Sequence, residues 1–148
     1  MKSSLLLFIV LFWSCKNSSP ETAAKQETPA TTDVASLPPG FSEFYQRFHG
    51  DSLYQMEHII FPLEGLPPDA DSLSIAGGSF RWQQEDWVMH RQVDFQMSDF
   101  NRELIPVNEL MVLERIVHKN GQFGMVRRFA LVAGEWHLIY YAGLNRLR

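Results

Sequence analysis

The C-terminal third of this chain alternates between runs suited to strands and dipeptides suited to turns, which leaves few folds open. Val107 to His118 and Gln122 to Val132 are long and rich in Val, Ile, Leu and Phe, as strands are. Asn120-Gly121 lies between them, and such a pair accepts the positive φ angles that a two-residue type I′ hairpin requires. Ala133-Gly134 then leads into a third run, Trp136 to Ala142. Strands joined this tightly must pair antiparallel, so the expected unit is a three-stranded meander.

Short helices are expected ahead of it. Phe41, Phe44, Tyr45 and Phe48 fall at i, i+3, i+4 and i+7, an apolar stripe on one side of a helix that Gly50 can end. Ser52 and Gln55 have the spacing of a capping box for a second helix, with Leu53 and Met56 on its buried side. His58 to Phe61 is an apolar run that Pro62 confines to an edge or a strand end. Leu66 to Gly78 reads as a loop, Trp82 to Arg91 as a short helix carrying Trp87, and Val93 to Pro106 has no clear pattern. Helices first and a meander after is an α+β order, with helices covering one face of the sheet.

The N-terminus sets a location. Lys2, the apolar run Leu5 to Trp13 and the small Ser14 are the parts of a secretory signal. The run is about half of the roughly 20 residues that a membrane-crossing helix needs. Cys15, the only cysteine, follows at the junction, and the segment resembles the lipobox of bacterial lipoproteins. The alternative is an ordinary secreted protein with a free thiol. Acylated, Cys15 would hold the chain on the extracytoplasmic side of the cell envelope, with the outer membrane as the expected site. Residues 16–39 have no aromatic residue and few aliphatics, too little to fold, and as a tether they would reach on the order of 25–30 Å. The expected division is therefore 1–14 signal peptide, 15–39 lipidated cysteine and tether, and 40–148 folded domain. One cysteine allows no internal disulfide, so stability must come from a packed core, for which 45% apolar residues suffice. A net charge of −4 offers no footprint for nucleic acid, which leaves the lipid as the membrane attachment.

The two turns fix a register. A two-residue loop at Asn120-Gly121 sets Glu114 opposite Arg127, Val112 opposite Phe129 and Ile116 opposite Met125. A second at Ala133-Gly134 sets Leu131 beside Trp136, Phe129 beside Leu138 and Arg127 beside Tyr140. An apolar face thus carries a polar row of Glu114, Arg127 and Tyr140. One explanation is a structural cross-strand pair; the other is the floor of a binding pocket, with Trp136 and Phe129 beside it. No two of the five histidines have the short spacing of metal ligands, Asp69 and Asp71 lack the rest of a calcium loop, and Ser79 has no nucleophile-elbow pattern. No metal or cofactor is expected.

Several segments carry a family resemblance. Phe44-Tyr45-Gln46-Arg47-Phe48, Asp51-Ser52-Leu53-Tyr54-Gln55 leading into Ile59-Ile60-Phe61-Pro62-Leu63, Glu85-Asp86-Trp87, and Gly134-Glu135-Trp136-His137-Leu138 resemble the domain-of-unknown-function family 4348, mostly lipoproteins of Bacteroidetes. The resemblance runs from about Gly40 to Ala142. It implies a nuclear transport factor 2-like cone, short helices packed on a curved antiparallel sheet around a hydrophobic cavity, and it implies no reaction. Three roles stay open: a module binding an apolar or amphipathic small molecule or a partner protein, an isomerase-, dehydratase- or hydrolase-type enzyme using Glu114 and Tyr140, and a scaffold without a cavity. Against the enzyme, Arg127 ties up the Glu114 carboxylate as an ion pair and leaves it a poorer base.

Overall fold

The computed structural model describes residues 36–147; the signal segment, Cys15 and most of the tether lie outside them. Helices α1 (Phe41–Gly50) and α2 (Ser52–Glu57) lead into β1 (Ile59–Leu66). A six-residue helix, α3 (Ser72–Gly77), precedes the two-residue β2 (Arg81–Trp82), and β3 (Phe100–Asn108), β4 (Met111–His118), β5 (Phe123–Val132) and β6 (Glu135–Arg146) complete the chain. One curved six-stranded sheet runs in the order β2-β1-β6-β5-β4-β3. The fold is α+β, as expected, but the sheet is mixed: β1 pairs parallel with β6, and the other neighbours are antiparallel.

The apolar stripe of α1 behaves as its spacing dictates. Phe41, Phe44 and Phe48 are buried, and with Tyr45 they meet the single ring of Phe129 edge-on, at 5.6–6.0 Å between centroids. Trp136 adds an edge contact to Phe41 at 5.0 Å. Burying one such side chain stabilises a fold by about 2–3 kcal/mol, and favourable ring geometry adds to it. The helix-sheet interface is therefore held mainly by aromatic packing around Phe129.

Several local expectations are corrected. The meander has four strands, because Val107–His118 is broken at Asn108, whose Oδ1 accepts from Leu110 N at 2.8 Å and turns the chain into a hairpin. The extra strand, β3, contains Pro106, which an edge strand tolerates because its missing N–H costs no ladder bond. The β4–β5 register is as expected, yet its turn is not type I′: Gly121 N donates to His118 O at 2.8 Å, Gly121 alone takes positive φ, and Lys119 to Gln122 form the loop. The I′ signature falls instead at Ala133 (φ 51) and Gly134 (φ 89). Asp51, not Ser52, caps α2, accepting from Leu53 N and Tyr54 N. Leu53 is exposed, and the buried residue of that helix is Gln55. The strand after it runs on through Pro62 to Leu66 with a register shift. Trp82 to Arg91 is strand end, turn and extended chain rather than helix.

The Trp82–Arg91 segment is held by polar bonds. Gln55 donates from Nε2 to the carbonyls of Phe48 (2.6 Å) and His90 (2.7 Å), and its Oε1 accepts from Trp87 Nε1 (3.1 Å) and His90 N (2.8 Å). One buried amide thus stitches the end of α1 to Trp87 and His90. Farther along, Trp82 Nε1 donates to Tyr141 O at 2.9 Å across β1. The strand residue beneath that bond is Gly65, where a Cβ would fall 1.9 Å from Tyr141 O. Only glycine lets the three chains approach so closely.

Candidate functional site

Residues on the helix-covered face of the sheet form a polar network at the edge of the aromatic core. Glu114 is fully buried and Arg127 nearly so. Arg127 Nη1 donates to Glu114 Oε2 at 2.7 Å, and Tyr45, reaching over from α1, donates its hydroxyl to Oε1 at 2.5 Å. Arg102 Nη1 in turn points at the Tyr45 oxygen from 3.4 Å. Arg102 sits opposite Ile116 in the β3–β4 ladder and so projects from the same face. One guanidinium pairs with the carboxylate, and the other reaches only the tyrosine oxygen.

The row read from the sequence is assembled with one substitution. Glu114 and Arg127 pair as expected, but a register shift in β5–β6 between the Arg128 and Phe129 pairs leaves Ile139 as the extra residue. Arg127 therefore faces Tyr141, and Tyr140 faces Arg128 on the other side of the sheet. A bulge of this kind sends every later side chain to the opposite face. The Arg128 guanidinium covers the Tyr140 ring at 4.4 Å, while Arg127 lies 5.8 Å from the Tyr141 ring. Tyr140 thus takes no part in the network, and a Glu114–Tyr140 acid-base pair is not formed. The hydroxyl that completes the network belongs to Tyr45, which burial and the neighbouring carboxylate hold well above the ordinary phenol range.

Beside the network lies a cavity of about 350 Å³ between α1, the chain at residues 91–95, and β3. Phe41, Leu104, Val93 and Phe95 give it apolar walls, and Tyr45, His49, Arg91, Arg102 and Arg127 bring polar groups to it. Among the described residues no carboxylate belongs to its lining. Of the residues singled out from sequence, Arg127 reaches this wall. Glu114 stands behind it, Phe129 is the centre of the aromatic core, and Trp136 borders a separate open groove of about 640 Å³ with Tyr54 and His58.

His49 adds a group that is only partly used. Its Nδ1 donates to the Tyr45 carbonyl at 2.9 Å, one helical turn back, which leaves Nε2 of the neutral ring as a lone-pair acceptor. Burial, above all, lowers its pKa and favours that neutral form. Four covered side-chain polar atoms have no hydrogen-bond partner among the described residues: His49 Nε2, His90 Nδ1, Arg127 Nε and Trp136 Nε1. Two of them, on His49 and Arg127, belong to side chains of the cavity wall. Buried groups are ordinarily satisfied, so each exception asks for an explanation.

Sequence reasoning missed Tyr45, His49, Arg91 and Arg102 as site residues. Tyr45 and His49 were hidden in the helix pattern, although a buried tyrosine hydroxyl needs a partner and Glu114 was the carboxylate already placed on that face. Arg91 and Arg102 fall in or beside segments with no legible pattern. Among the described residues no three histidine, cysteine or acidic side chains converge as metal ligands.

No family model matches the chain, and no curated protein matches it. Among solved structures, a cystatin-like protein from Bacteroides caccae superposes with a TM-score of 0.51 at 14% identity, over 72% of this chain and 79% of that one. A nuclear transport factor 2-like protein from Bacteroides fragilis gives 0.48 at 16% identity over 72% of this chain, which spans about half (47%) of that protein's length. A nuclear transport factor 2-like protein of unknown function from Silicibacter pomeroyi gives 0.37 at 13% identity. At 14% identity the likeness to the cystatin-like protein is one of fold alone.

Proposed function

We propose that this chain is a membrane-anchored binding module of the cell envelope. In this reading Cys15 carries the lipid, residues 16–39 hold the domain off the extracytoplasmic surface, and the cavity beside α1 receives an amphipathic small molecule. Membership of the domain-of-unknown-function family 4348 belongs to the same proposal, supported by the packing segments quoted above. The observation that carries the binding role is the cavity of about 350 Å³, whose volume lies in the range of small-molecule sites and whose apolar walls meet a few convergent polar groups. The enzyme alternative loses its acid-base pair to the β5–β6 bulge, and a filled scaffold would leave no such space.

Mass spectrometry of the protein drawn gently from its native membrane tests both halves. The expected N-terminus is an acylated Cys15, and the native-mass spectrum should show a retained small molecule. Leu104→Trp, which fills the cavity, should release that molecule and keep the lipid. An N-terminus at Met1 with an unmodified thiol overturns the anchoring. A retained molecule indifferent to Leu104→Trp overturns the cavity.

A further inference from the structure

We infer that the cavity selects an anion: a small carboxylate on an aryl or alkyl body, its acid group held by Arg102 and Arg91 and its apolar part against Phe41, Val93 and Leu104. This rests on the binding role proposed above and adds the ligand's charge.

Charge in the site does not balance. The network contains Arg102, Arg127 and one carboxylate, Glu114, whose two oxygens are already occupied by Tyr45 and Arg127. Arg91 brings a further positive charge to the lining, which holds no acidic side chain among the described residues. Neither Arg91 nor Arg102 has an ion-pair partner among the described residues. The nearest acid in sequence to Arg102, Glu103, projects from the other face of β3 and meets Arg115 at 3.7 Å.

Arg102 is also held in place. Its guanidinium carbon lies 5.3 Å from the Tyr45 ring centroid and 5.0 Å from that of Phe95, within reach of the attraction between a cation and an aromatic face. One of its five N–H donors is directed at Tyr45 Oη, at a long 3.4 Å. The others are open to a ligand, and a planar guanidinium fits a carboxylate with two parallel bonds. Packing that restricts a long side chain before binding reduces the ordering cost when the ligand arrives. Arg127 belongs to the same wall and adds its positive charge behind Arg91 and Arg102, its Nε covered. A cationic ligand would be repelled by these charges, and a neutral one would leave them unanswered.

Three probes of nearly the same shape separate charge from fit: 4-phenylbutyrate, 4-phenylbutanol and 4-phenylbutylamine. Each is titrated calorimetrically into the full acylated chain in phosphatidylcholine nanodiscs, with empty discs as blanks. The acid should bind at least tenfold more tightly than the alcohol, the amine least, and the preference should shrink as salt is added. Arg102→Gln should weaken the acid about tenfold, change the alcohol less than twofold, and lower the urea midpoint only slightly, through its lost contacts with Tyr45 and Phe95. Acid and alcohol binding alike, or an Arg102→Gln variant with unchanged acid affinity, overturns the anion assignment while the cavity stands. Failure of all three probes to bind a folded protein overturns the cavity and the anion assignment together.

Discussion

Two buried polar centres stabilise this domain, and they are finished to different degrees. At Gln55 each side of the amide is used: two carbonyls accept from Nε2, and an indole N–H and a backbone N–H donate to Oε1. At Glu114 the carboxylate is likewise occupied, but the surrounding groups are not. Among the described residues Arg127 Nε and His49 Nε2 have no partner, as His90 Nδ1 beside Gln55 has none, but only around Glu114 do the charges fail to cancel. A saturated centre does the work of a tertiary crosslink and has nothing left to offer a ligand. A centre with surplus positive charge beside a cavity keeps interaction capacity in reserve, which is why the binding proposal belongs to Glu114's neighbourhood and not to Gln55's.

The hardest way to break this contrast is Glu114→Ala. It leaves the Arg127 guanidinium buried without its counter-charge and should cost about 4 kcal/mol, the range for removing one member of a buried pair. Urea denaturation at neutral pH measures it. A loss under about 1 kcal/mol would mean that water reaches Arg127 freely and that the pair is a surface one.

Gln55→Ala comes next, at about 3 kcal/mol, because the Trp87 indole and the His90 amide both lose their acceptor in a buried place. The two variants should differ in what survives. Folded Gln55→Ala protein should bind 4-phenylbutyrate as the parent does, whereas any folded Glu114→Ala protein should bind it more tightly, having lost the one negative charge behind the cavity. Equal responses would erase the distinction between the centres.

How much of this was legible follows from the range of the interactions. Period-3.6 spacing revealed the Phe41–Phe48 stripe, and the position of Asn120-Gly121 between two strand-like runs revealed the β4–β5 pairing, since both signals are local. The Glu114–Arg127 pair came with that register. Tyr140 was misplaced by one bulged residue, Ile139, which no alternation pattern announces. Tyr45 meets Glu114 across 69 positions, and Gln55 meets His90 across 35; contacts of that separation are set by how α1 lies on the sheet. Strand β3 was diluted by Asn101, Arg102 and Glu103 because an edge strand is solvated on more sides, so Arg102 escaped notice with it.

Tyr45→Phe probes the link between helix and network more gently. The ring and its contacts with Phe41 and Phe129 remain, while Glu114 Oε1 loses a donor and Arg102 an acceptor. Hydrogen bonds to charged groups are worth about 1.5–3 kcal/mol, so a loss of about 2 kcal/mol is expected in urea. The freed Arg102 should then weaken 4-phenylbutyrate binding by a few-fold. A variant as stable as the parent would show that the Tyr45–Glu114 bond does not persist in solution.

The smallest effect separates the centres by pH. His90 packs its ring against Trp87 and Tyr141 at 4.5 and 4.6 Å between centroids. Burial first, and then the charge of Arg127, push its imidazole far below the ordinary histidine range. In the unfolded chain it regains a pKa near 6.5. A base whose pKa is depressed by folding stays neutral in the native state, so its contribution is present above about pH 6.5 and is lost as the pH falls below it, where the unfolded chain takes up the proton. His90→Phe keeps the ring packing and removes the titration. Comparing urea midpoints at pH 7.5 and 5.5, the parent should lose about 1 kcal/mol more than the variant over that interval. Parallel losses would place the His90 ring in contact with water, and the packing that Gln55 imposes on residues 87–90 would then be looser than its four hydrogen bonds require.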